Sequence, residues 1–455
     1  MEDRYTRDLT QGNVSRQLLK FTVPFLLAQI LQAFYSMVDM FIVGRYMGDY
    51  GITAVNNSAT VSLFITNLIS GFAMSGTVLV AQYIGAKEEE NAKKTIGTIF
   101  VIFIIVSLII TAGGIIITPK LLTLLKIPHQ SYEEACRYLW ICFGGTIFIC
   151  GYNAVSAILR GLGDSKRPLM FVAFAAALNV VLDIIFVGPL NMGAGGAALA
   201  TVIAQGLSFI LSVITLYRQN FIFDFKLKSF CIDKTKVPLI FKIGLPSAVQ
   251  STVVNFSLLF VMSEINVYDL AASTAAGICG KIDSFAVLPT VAISQAVASM
   301  AGQNLGADLP DRAKQTLFAG IRLSLVFTTV IFILVHLQGE NIIRLFGCEG
   351  ETVAIGLEYI KYVTIAYFGN AVVFIVSGFA TGSGKSVFAM LNACTNMIIA
   401  RISLVFFFSR VLNLGLTGIF IACGLSQFAG LIPSTIFYLS GAWRKSAIHK
   451  NEMEY

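Results

Sequence analysis

The stretch Ala81-Gln-Tyr-Ile-Gly-Ala-Lys-Glu-Glu-Glu-Asn-Ala-Lys-Lys94 occurs a second time, as Gly302-Gln-Asn-Leu-Gly-Ala-Asp-Leu-Pro-Asp-Arg-Ala-Lys-Gln315. Each copy lies where one long apolar run ends and the next begins. Five residues of the first copy recur identically 221 positions later: Gln82, Gly85, Ala86, Ala92 and Lys93. The chain therefore contains an internal repeat.

A second pair of segments supports the same repeat. Asn153-Ala-Val155 returns as Asn370-Ala-Val372, and Asn179 returns as Asn396, both at an offset of 217. The repeating unit is thus about 220 residues long and mostly apolar. Repeats of this size in an apolar chain are typical of secondary transporters, which bind substrate where the repeats meet.

The composition predicts an all-α membrane protein. Hydrophobic residues make up 56% of the chain and charged residues 13%, with a mean hydropathy of +0.78. A soluble domain carries roughly twice that charged fraction. Apolar runs of about 20 residues or more are long enough to cross a bilayer, and they lack the alternation of barrel strands. Twelve such runs predict twelve transmembrane helices: 17–44, 53–80, 95–118, 135–159, 168–189, 195–217, 240–266, 270–300, 316–337, 354–379, 386–409 and 415–439.

The net charge of +7 predicts membrane topology rather than nucleic-acid binding. Most of the 32 lysines and arginines lie in the N-terminus, the C-terminus and the loops that join even-numbered to odd-numbered runs. The positive-inside rule therefore places both termini in the cytoplasm, for a multi-pass protein of the plasma (inner) membrane. Six crossings per repeat give the two halves the same orientation, which predicts two parallel-repeat six-helix bundles.

The predicted domains follow from this repeat. Residues 1–220 form an N-terminal six-helix bundle, residues 221–239 a cytoplasmic basic linker, and residues 240–455 a C-terminal six-helix bundle. Lysine and arginine residues cluster from Arg218 to Lys242 around the linker. Basic segments beside a membrane attract anionic headgroups, so we expect the linker to contact membrane lipid.

Two acidic residues lie well inside apolar runs of the first half. A charge at membrane depth costs about 2.5–3.5 kcal/mol on insertion scales, so Asp39 and Asp183 need a partner or a function that offsets this cost. Gln32, Tyr35 and Asp39 follow the spacing of one helical stripe, and Asn179 stands one turn before Asp183 on the same face. The interior of the first half is therefore predicted to be polar.

Further polar residues fit the same interior, with Asn153 in the fourth run and Thr201 in the sixth. One interpretation is that each aspartate is paired within the bundle and only orients helices. However, no basic residue stands at matching depth in the first, second, fifth or sixth run. The other interpretation, which we favour, is that the two carboxylates share protons or hold a cation.

The second half differs in its charges. The seventh run contains Asn255 but no central acid, and the eleventh run carries Arg401 roughly where the fifth carries Asp183. Asp283 in the eighth run stands two residues from Lys281, a spacing that points the two side chains apart. Arg401 is predicted either to shape a cavity in this half, together with Asn255, or to form a structural pair.

Pro24 is a candidate hinge. It stands early in the first run, at the place that Pro246 occupies in the second half. Proline inside a helix frees a backbone carbonyl and permits a kink. Bending at Pro24 would link the state of Asp39 to the shape of the helix, although a proline in a membrane helix is often passive.

The residues together resemble one family. Val38-Asp39 followed by Val43-Gly44, Gln-x-x-Gly-Ala after the second and eighth runs, and Arg160-Gly-Leu-Gly-Asp-Ser165 are similar to the multidrug and toxic compound extrusion (MATE) transporters. The resemblance covers essentially the whole chain. It implies antiport, in which an organic cation or drug leaves the cell as Na⁺ or H⁺ enters.

The resemblance also implies a set of site residues. Members with a cation site in the first half use an Asp in helix 1, an Asn and an Asp in helix 5, and a Thr in helix 6, which correspond to Asp39, Asn179, Asp183 and Thr201. Asn153 in helix 4 is a further candidate. Other members place acids in helices 7 and 10, where this chain has Asn255 near the first place and Asn370 or Ala371 near the second. That departure favours an ion site in the first half.

We therefore predict a secondary active antiporter that exports organic cations or drugs by alternating access. It would act as a monomer, with Na⁺ or H⁺ as coupling ion and no other cofactor or structural metal. A lipid-linked or polysaccharide flippase of the same superfamily is the alternative. No nucleophile-base pair favours an enzyme, and no ring of charges favours a pore.

Overall fold

The computed structural model describes residues 8–124, 127, 129–219 and 221–448, and these contain helices and turns but no β-strand. Helices are the expected form because a helix satisfies its own backbone hydrogen bonds in an apolar surrounding. The helices of the first half are α1 (Val14–Gly48), α2 (Thr53–Gly85), α3 (Glu89–Leu124), α4 (Gln130–Gly144), α5 (Thr146–Gly161), α6 (Lys166–Val187) and α7 (Gly193–Arg218).

The second half repeats this order. Its helices are α8 (Val237–Ile265), α9 (Leu270–Gly306), α10 (Pro310–Leu345), α11 (Glu351–Val363), α12 (Ala366–Gly382), α13 (Ser386–Val411) and α14 (Gly415–Ser440). Ten of the fourteen helices are each long and apolar enough to cross a membrane. The other four form two bent pairs, α4 with α5 and α11 with α12, and each pair can make one crossing. The predicted all-α class with twelve spans is confirmed.

The bent pairs were not predicted, because the sequence showed a single apolar run for each. Helices α4 and α5 meet at 49°, and α11 and α12 meet at 45°. The first bend falls at Gly145, where an added Cβ would lie 2.4 Å from a methyl group of Val202 on α7. The absence of a side chain thus lets α7 approach the bend closely.

The chain passes from α1 to α2 through Gly48. This residue has φ +65° and ψ −155°, a conformation that residues with a side chain rarely adopt, so it separates two otherwise continuous helices. Pro24 does not interrupt α1, whose only non-helical backbone angles in the described structure are those of Gly48.

The internal repeat is visible in the backbone. Lys87 and Asp308 both have positive φ, at 61° and 56°, and Gly163 and Gly384 have φ of 82° and 80°. Both pairs stand 221 positions apart and lie in turns that follow corresponding helices. The repeated segments therefore adopt the same unusual local conformation in both halves.

The offset increases by one residue along α13. Asn191 and Asn413 have φ of 47° and 54° and stand 222 positions apart. Two segments of α13 are π-helical, Cys394–Ala400 and Phe407–Val411, and a π-helical turn closes over one more residue than an α-helical turn. With the later offset, Arg401 matches Asn179 and lies about one turn away from the place of Asp183. The offset of 217 that aligned Asn153 with Asn370 and Asn179 with Asn396 is therefore wrong by about one helical turn.

The contacts divide the chain into two compact units. The first comprises Leu27–Phe241, and the second comprises Leu9–Leu26 with the residues from Lys242 onward. The division thus falls inside α1, three residues after Pro24. The predicted domain limits at 220 and 240 stay a prediction.

Within the second unit, the N-terminal segment is held by side chains and backbone. Leu18 and Phe21 are almost fully buried in a core that includes Phe379. Arg312 at the start of α10 donates hydrogen bonds to the carbonyl oxygens of Gln11, at 2.6 Å, and Gly12, at 2.7 Å. The first turns of α1 are therefore built into this unit.

Within the first unit, the predicted linker packs against α3. The amide of Asp233 donates to Thr98 Oγ1 at 3.0 Å, and Thr98 Oγ1 lies 3.3 Å from the carbonyl oxygen of Cys231. A Cβ on Gly97 would lie 2.2 Å from the carbonyl oxygen of Ser229. The linker is thus an ordered part of the unit.

One linker lysine is unavailable to lipid. Lys236 is only 8% exposed, and its ammonium donates to Tyr83 Oη at 2.9 Å and to Asn91 Oδ1 at 2.8 Å. It also lies over the Tyr83 ring, 4.5 Å from the centroid. The expectation of headgroup contact therefore applies to the exposed lysines of the linker and not to Lys236.

Candidate functional site

The centre of the candidate site is a contact between α6 and α7. Asn179 Nδ2 donates a hydrogen bond to Thr201 Oγ1 at 3.3 Å, and Asn179 is 2% exposed. Asp183 follows one turn later on the same face of α6 and is fully buried. The sequence placed these three residues in one interior, and the structure brings Asn179 and Thr201 into direct contact.

Asp39 reaches the same region from α1. The charges of Asp39 and Asp183 act on each other, and both act on the hydroxyl of Tyr35. Tyr35 lines one cavity together with Gln32 of the same helix and Gln205 of α7. The polar stripe predicted on the first run therefore faces α6 and α7.

A small cavity of about 30 Å³ lies beside the Asn179–Thr201 contact. It can admit a water molecule or an unhydrated ion. Each aspartate stands one helical turn beyond a residue of the lining: Asp39 follows Tyr35, and Asp183 follows Asn179. The polar lining residues are Gln32, Tyr35, Tyr152, Asn179, Thr201 and Gln205.

Several oxygen atoms at this site are buried without a hydrogen-bond donor. Within the described residues, no partner is found for Oδ1 of Asp39, for either carboxylate oxygen of Asp183, for Oδ1 of Asn179 or for Oε1 of Gln205. A buried acceptor without a partner costs about 1–3 kcal/mol, and more when it is charged. Binding of a proton or a cation by these five oxygens would remove this cost.

Asn153 is engaged elsewhere. Its Oδ1 accepts a hydrogen bond from Ser70 Oγ at 3.1 Å, and its Nδ2 donates to the carbonyl oxygen of Ile149 at 2.8 Å. The neighbouring Tyr152 lines the cavity instead. The role of Asn153 in cation binding stays a prediction, and Tyr152 was missed because a single tyrosine in an apolar run carries no periodic signal.

Arg401 and Asn255, which were predicted to shape a cavity in the second half, form no hydrogen bond with each other in the described part of the chain. Arg401 is 6% exposed and donates to Ser257 Oγ at 3.1 Å and to Ser426 Oγ at 3.2 Å. Asn255 Nδ2 donates to the carbonyl oxygen of Ser251 at 2.8 Å. Since Asn255 stands two residues before Ser257, it lies on a different face of α8.

The second half contains a partly buried acid, Asp283, whose partners were not predicted. Asp283 on α9 accepts hydrogen bonds from Tyr359 Oη at 2.6 Å and from Tyr367 Oη at 2.5 Å. The charge of Arg401 also acts on Asp283. Unlike the aspartates of the first half, Asp283 has donors within the fold, which indicates a structural role.

We expect Asp283→Asn to lower the free energy of unfolding by about 1–3 kcal/mol, because an amide offers one acceptor where two tyrosine hydroxyls now donate. The change would appear as a lower apparent Tm of the purified protein in detergent. Lys281→Gln, an exposed position two residues away, should stay within about 0.5 kcal/mol. An unchanged Tm with lost transport would instead assign Asp283 to the transport cycle.

A family model and several known proteins match this chain over most of its length. The family model MatE matches residues 24–185 and 246–407, one match in each half. The chain is 31% identical over 443 residues to the probable multidrug resistance protein YpnP of Bacillus subtilis, covering 96% of this chain and 97% of that protein. It is 27% identical over 456 residues to the probable multidrug resistance protein YoeA of the same organism, covering 98% of both.

A solved structure shows the same fold. A MOP superfamily transporter from Pyrococcus furiosus superposes with a TM-score of 0.91 at 19% identity, covering 97% of this chain and 100% of the other. The two matches of the family model begin at Pro24 and Pro246, the two prolines that the repeat placed in correspondence.

Proposed function

Since this chain belongs to the multidrug and toxic compound extrusion (MATE) family of transporters, we propose that it exports organic cations by antiport. Na⁺ or H⁺ would enter the cell through the site at Asp39 and Asp183 as the organic cation leaves. The substrates would be small-molecule drugs or other organic cations. The protein would need no further cofactor.

The observation that supports this proposal is the group of buried oxygen atoms without donors. Two carboxylates close enough to act on each other cannot both stay ionised at low cost in a buried site. A bound proton or Na⁺ would remove that cost, and the loss of the ion would restore it. This difference between the occupied and the empty site is what coupling requires, and it supports the proposal.

The membrane potential supplies a driving force of suitable size. Moving one positive charge inward across the membrane is worth about 2.3 kcal/mol per 100 mV. A site that binds the ion in one conformation better than in another can use this energy to bias an alternating-access equilibrium.

The direct test is transport in vesicles that contain the purified protein. We expect ethidium to move against its gradient when a sodium or proton gradient is imposed, and the effective gradient identifies the coupling ion. A flippase would instead move a lipid-linked substrate across the bilayer. Ethidium movement that ignores both gradients would contradict the proposal.

The predicted topology is part of the same proposal. We propose that both termini face the cytoplasm of a cell whose plasma membrane contains the protein, since the basic residues concentrate on that side. Alkaline phosphatase fused after the C-terminus should be inactive, and a cytoplasmic fluorescent reporter at the same place should be active. The reverse pattern would overturn this orientation.

Pro24 is proposed as the hinge of α1. We expect Pro24→Ala to restore a backbone hydrogen bond, stiffen the helix and lower gradient-driven ethidium turnover, while ethidium affinity in detergent stays within about twofold. Pro246→Ala, at the matching place in α8, is the control for a proline without an aspartate later in its helix. A Pro24→Ala protein with wild-type turnover would remove Pro24 from the mechanism.

A further inference from the structure

A second cavity of the first unit has no place in the transport cycle proposed above. It has a volume of about 360 Å³ and lies between α3, α5 and α7, with part of the linker as one wall. Every lining residue is apolar, a glycine or a cysteine. Lining residues from the four elements include Phe100, Cys150, Phe209, Phe225 and Phe230. We refer to it as the linker cavity.

The wall that the linker contributes is tightly built. Phe230 lies 5.7 Å from Phe100 of α3 between ring centroids, and Phe225 lies 6.1 Å from the same ring. Phe223 packs between them, 5.2 Å from each. Together with the hydrogen bonds at Thr98, these contacts fix the linker over the end of the cavity.

The helices that line the cavity leave it open in part. Ile104 on α3 is 43% exposed, and Ile210 and Ile214 on α7 are 46% and 44% exposed, although all three line the cavity. Ile104 lies in the middle of α3, whereas Ile210 and Ile214 lie in the last third of α7, which ends at Arg218. An apolar chain can therefore enter from the side of these helices.

The linker beside the cavity is basic and carries an exposed apolar side chain. Leu227 is 92% exposed between Lys226 and Lys228, which are also exposed. Lys226 lies 3.7 Å from Asp224, whereas Lys228 has no carboxylate within 4 Å among the described residues. Alternating basic and apolar residues of this kind suit the boundary between headgroups and acyl chains.

These features select one class of occupant. The phenylalanine rings of the lining could contact an organic cation, but the lining has no acid to balance its charge, and the adjacent lysines would repel it. An acyl chain fills such a space by dispersion contacts, and an anionic headgroup suits the lysines beside it. We propose that the linker cavity binds one acyl chain of an anionic phospholipid whose headgroup contacts Lys226 and Lys228.

The test measures lipid binding directly. The full-length purified protein is titrated with phosphatidylglycerol or phosphatidylcholine of the same acyl chains and examined by native mass spectrometry. We expect the first phosphatidylglycerol to bind at least about tenfold more tightly than phosphatidylcholine. Equal binding of the two lipids would overturn the headgroup assignment.

Two kinds of variant separate the cavity from the headgroup contact. Val213→Trp fills the cavity and should remove the tight lipid, whereas Ile109→Trp, at an exposed position of α3 outside the lining, should retain it. The double change Lys226→Gln with Lys228→Gln leaves the core intact and should reduce phosphatidylglycerol binding to the level of phosphatidylcholine. Each variant is first checked for a single peak in size exclusion.

Two results would refute the site. A Val213→Trp protein that keeps the tight phosphatidylglycerol would place the lipid elsewhere. Displacement of phosphatidylglycerol by ethidium, at concentrations that support transport, would assign the cavity to the exported substrate. Neither result bears on whether Asp39 and Asp183 couple an ion, so this proposal and the antiport proposal fail independently.

Discussion

Replacing either Asp39 or Asp183 by Asn is expected to reduce gradient-driven ethidium efflux to the background of empty vesicles. An asparagine cannot take up a proton and supplies no charge to a cation, so each variant loses one of the two carboxylates that the proposed site uses. The loss of one carboxylate also leaves the other without its partner in the site. Efflux is measured in vesicles with the purified variants under imposed sodium and proton gradients.

The matched control is Glu264→Gln. Glu264 forms a salt bridge with Arg410 at 3.1 Å and lies in the other unit, so its charge is already paired. We expect this variant to keep most of the wild-type efflux, since a partly exposed salt bridge contributes about 1 kcal/mol or less. Full transport by Asp39→Asn or Asp183→Asn, with normal protein levels, would end the assignment of the coupling site.

The coupling ion is expected to lower the affinity for the exported cation by about 5- to 150-fold. This range corresponds to the usual coupling free energy of 1–3 kcal/mol between two sites. By reciprocity, the exported cation must weaken ion binding by the same factor. Ethidium affinity is measured in detergent at low and high sodium and at two pH values, in wild type and in Asp183→Asn.

The variant distinguishes coupling from a general salt effect. In Asp183→Asn, ethidium affinity should no longer depend on sodium or pH. Replacement of sodium by another monovalent salt at equal ionic strength controls for screening. A wild-type affinity that changes with neither sodium nor pH would rule out this mechanism. An ion dependence that persists fully in Asp183→Asn would place the coupling ion elsewhere.

Much of the architecture could be predicted from the sequence because it depends on local properties. The helical spans follow from the lengths of the apolar runs, and the repeat is visible as identical residues at a nearly constant spacing. The sequence also placed Asn179 and Thr201 in a polar interior, because polar residues in lipid-embedded helices turn toward the interior, but it did not predict that they touch. Their role as ion ligands stays a prediction.

Other features depend on which surfaces meet, and no single run contains that information. Asp283 stood near Lys281 in the sequence, yet its partners are Tyr359 and Tyr367, more than 70 positions away. The bend at Gly145 depends on the approach of Val202 from another helix. Leu9–Leu26 belongs to the second unit although more than 200 residues separate it from Lys242, where the rest of that unit begins.

The sequence by itself thus determined that this chain is a twofold repeat of membrane helices with acids buried in its first half. Hydrophobicity and periodicity are sums over neighbouring residues, so they can be read without the fold. Only the tertiary structure decided which of the acids in the helices accepts hydrogen bonds from neighbouring side chains and which does not. That distinction separates Asp283 from Asp39 and Asp183, because hydrogen bonding is a property of side chains that meet in space.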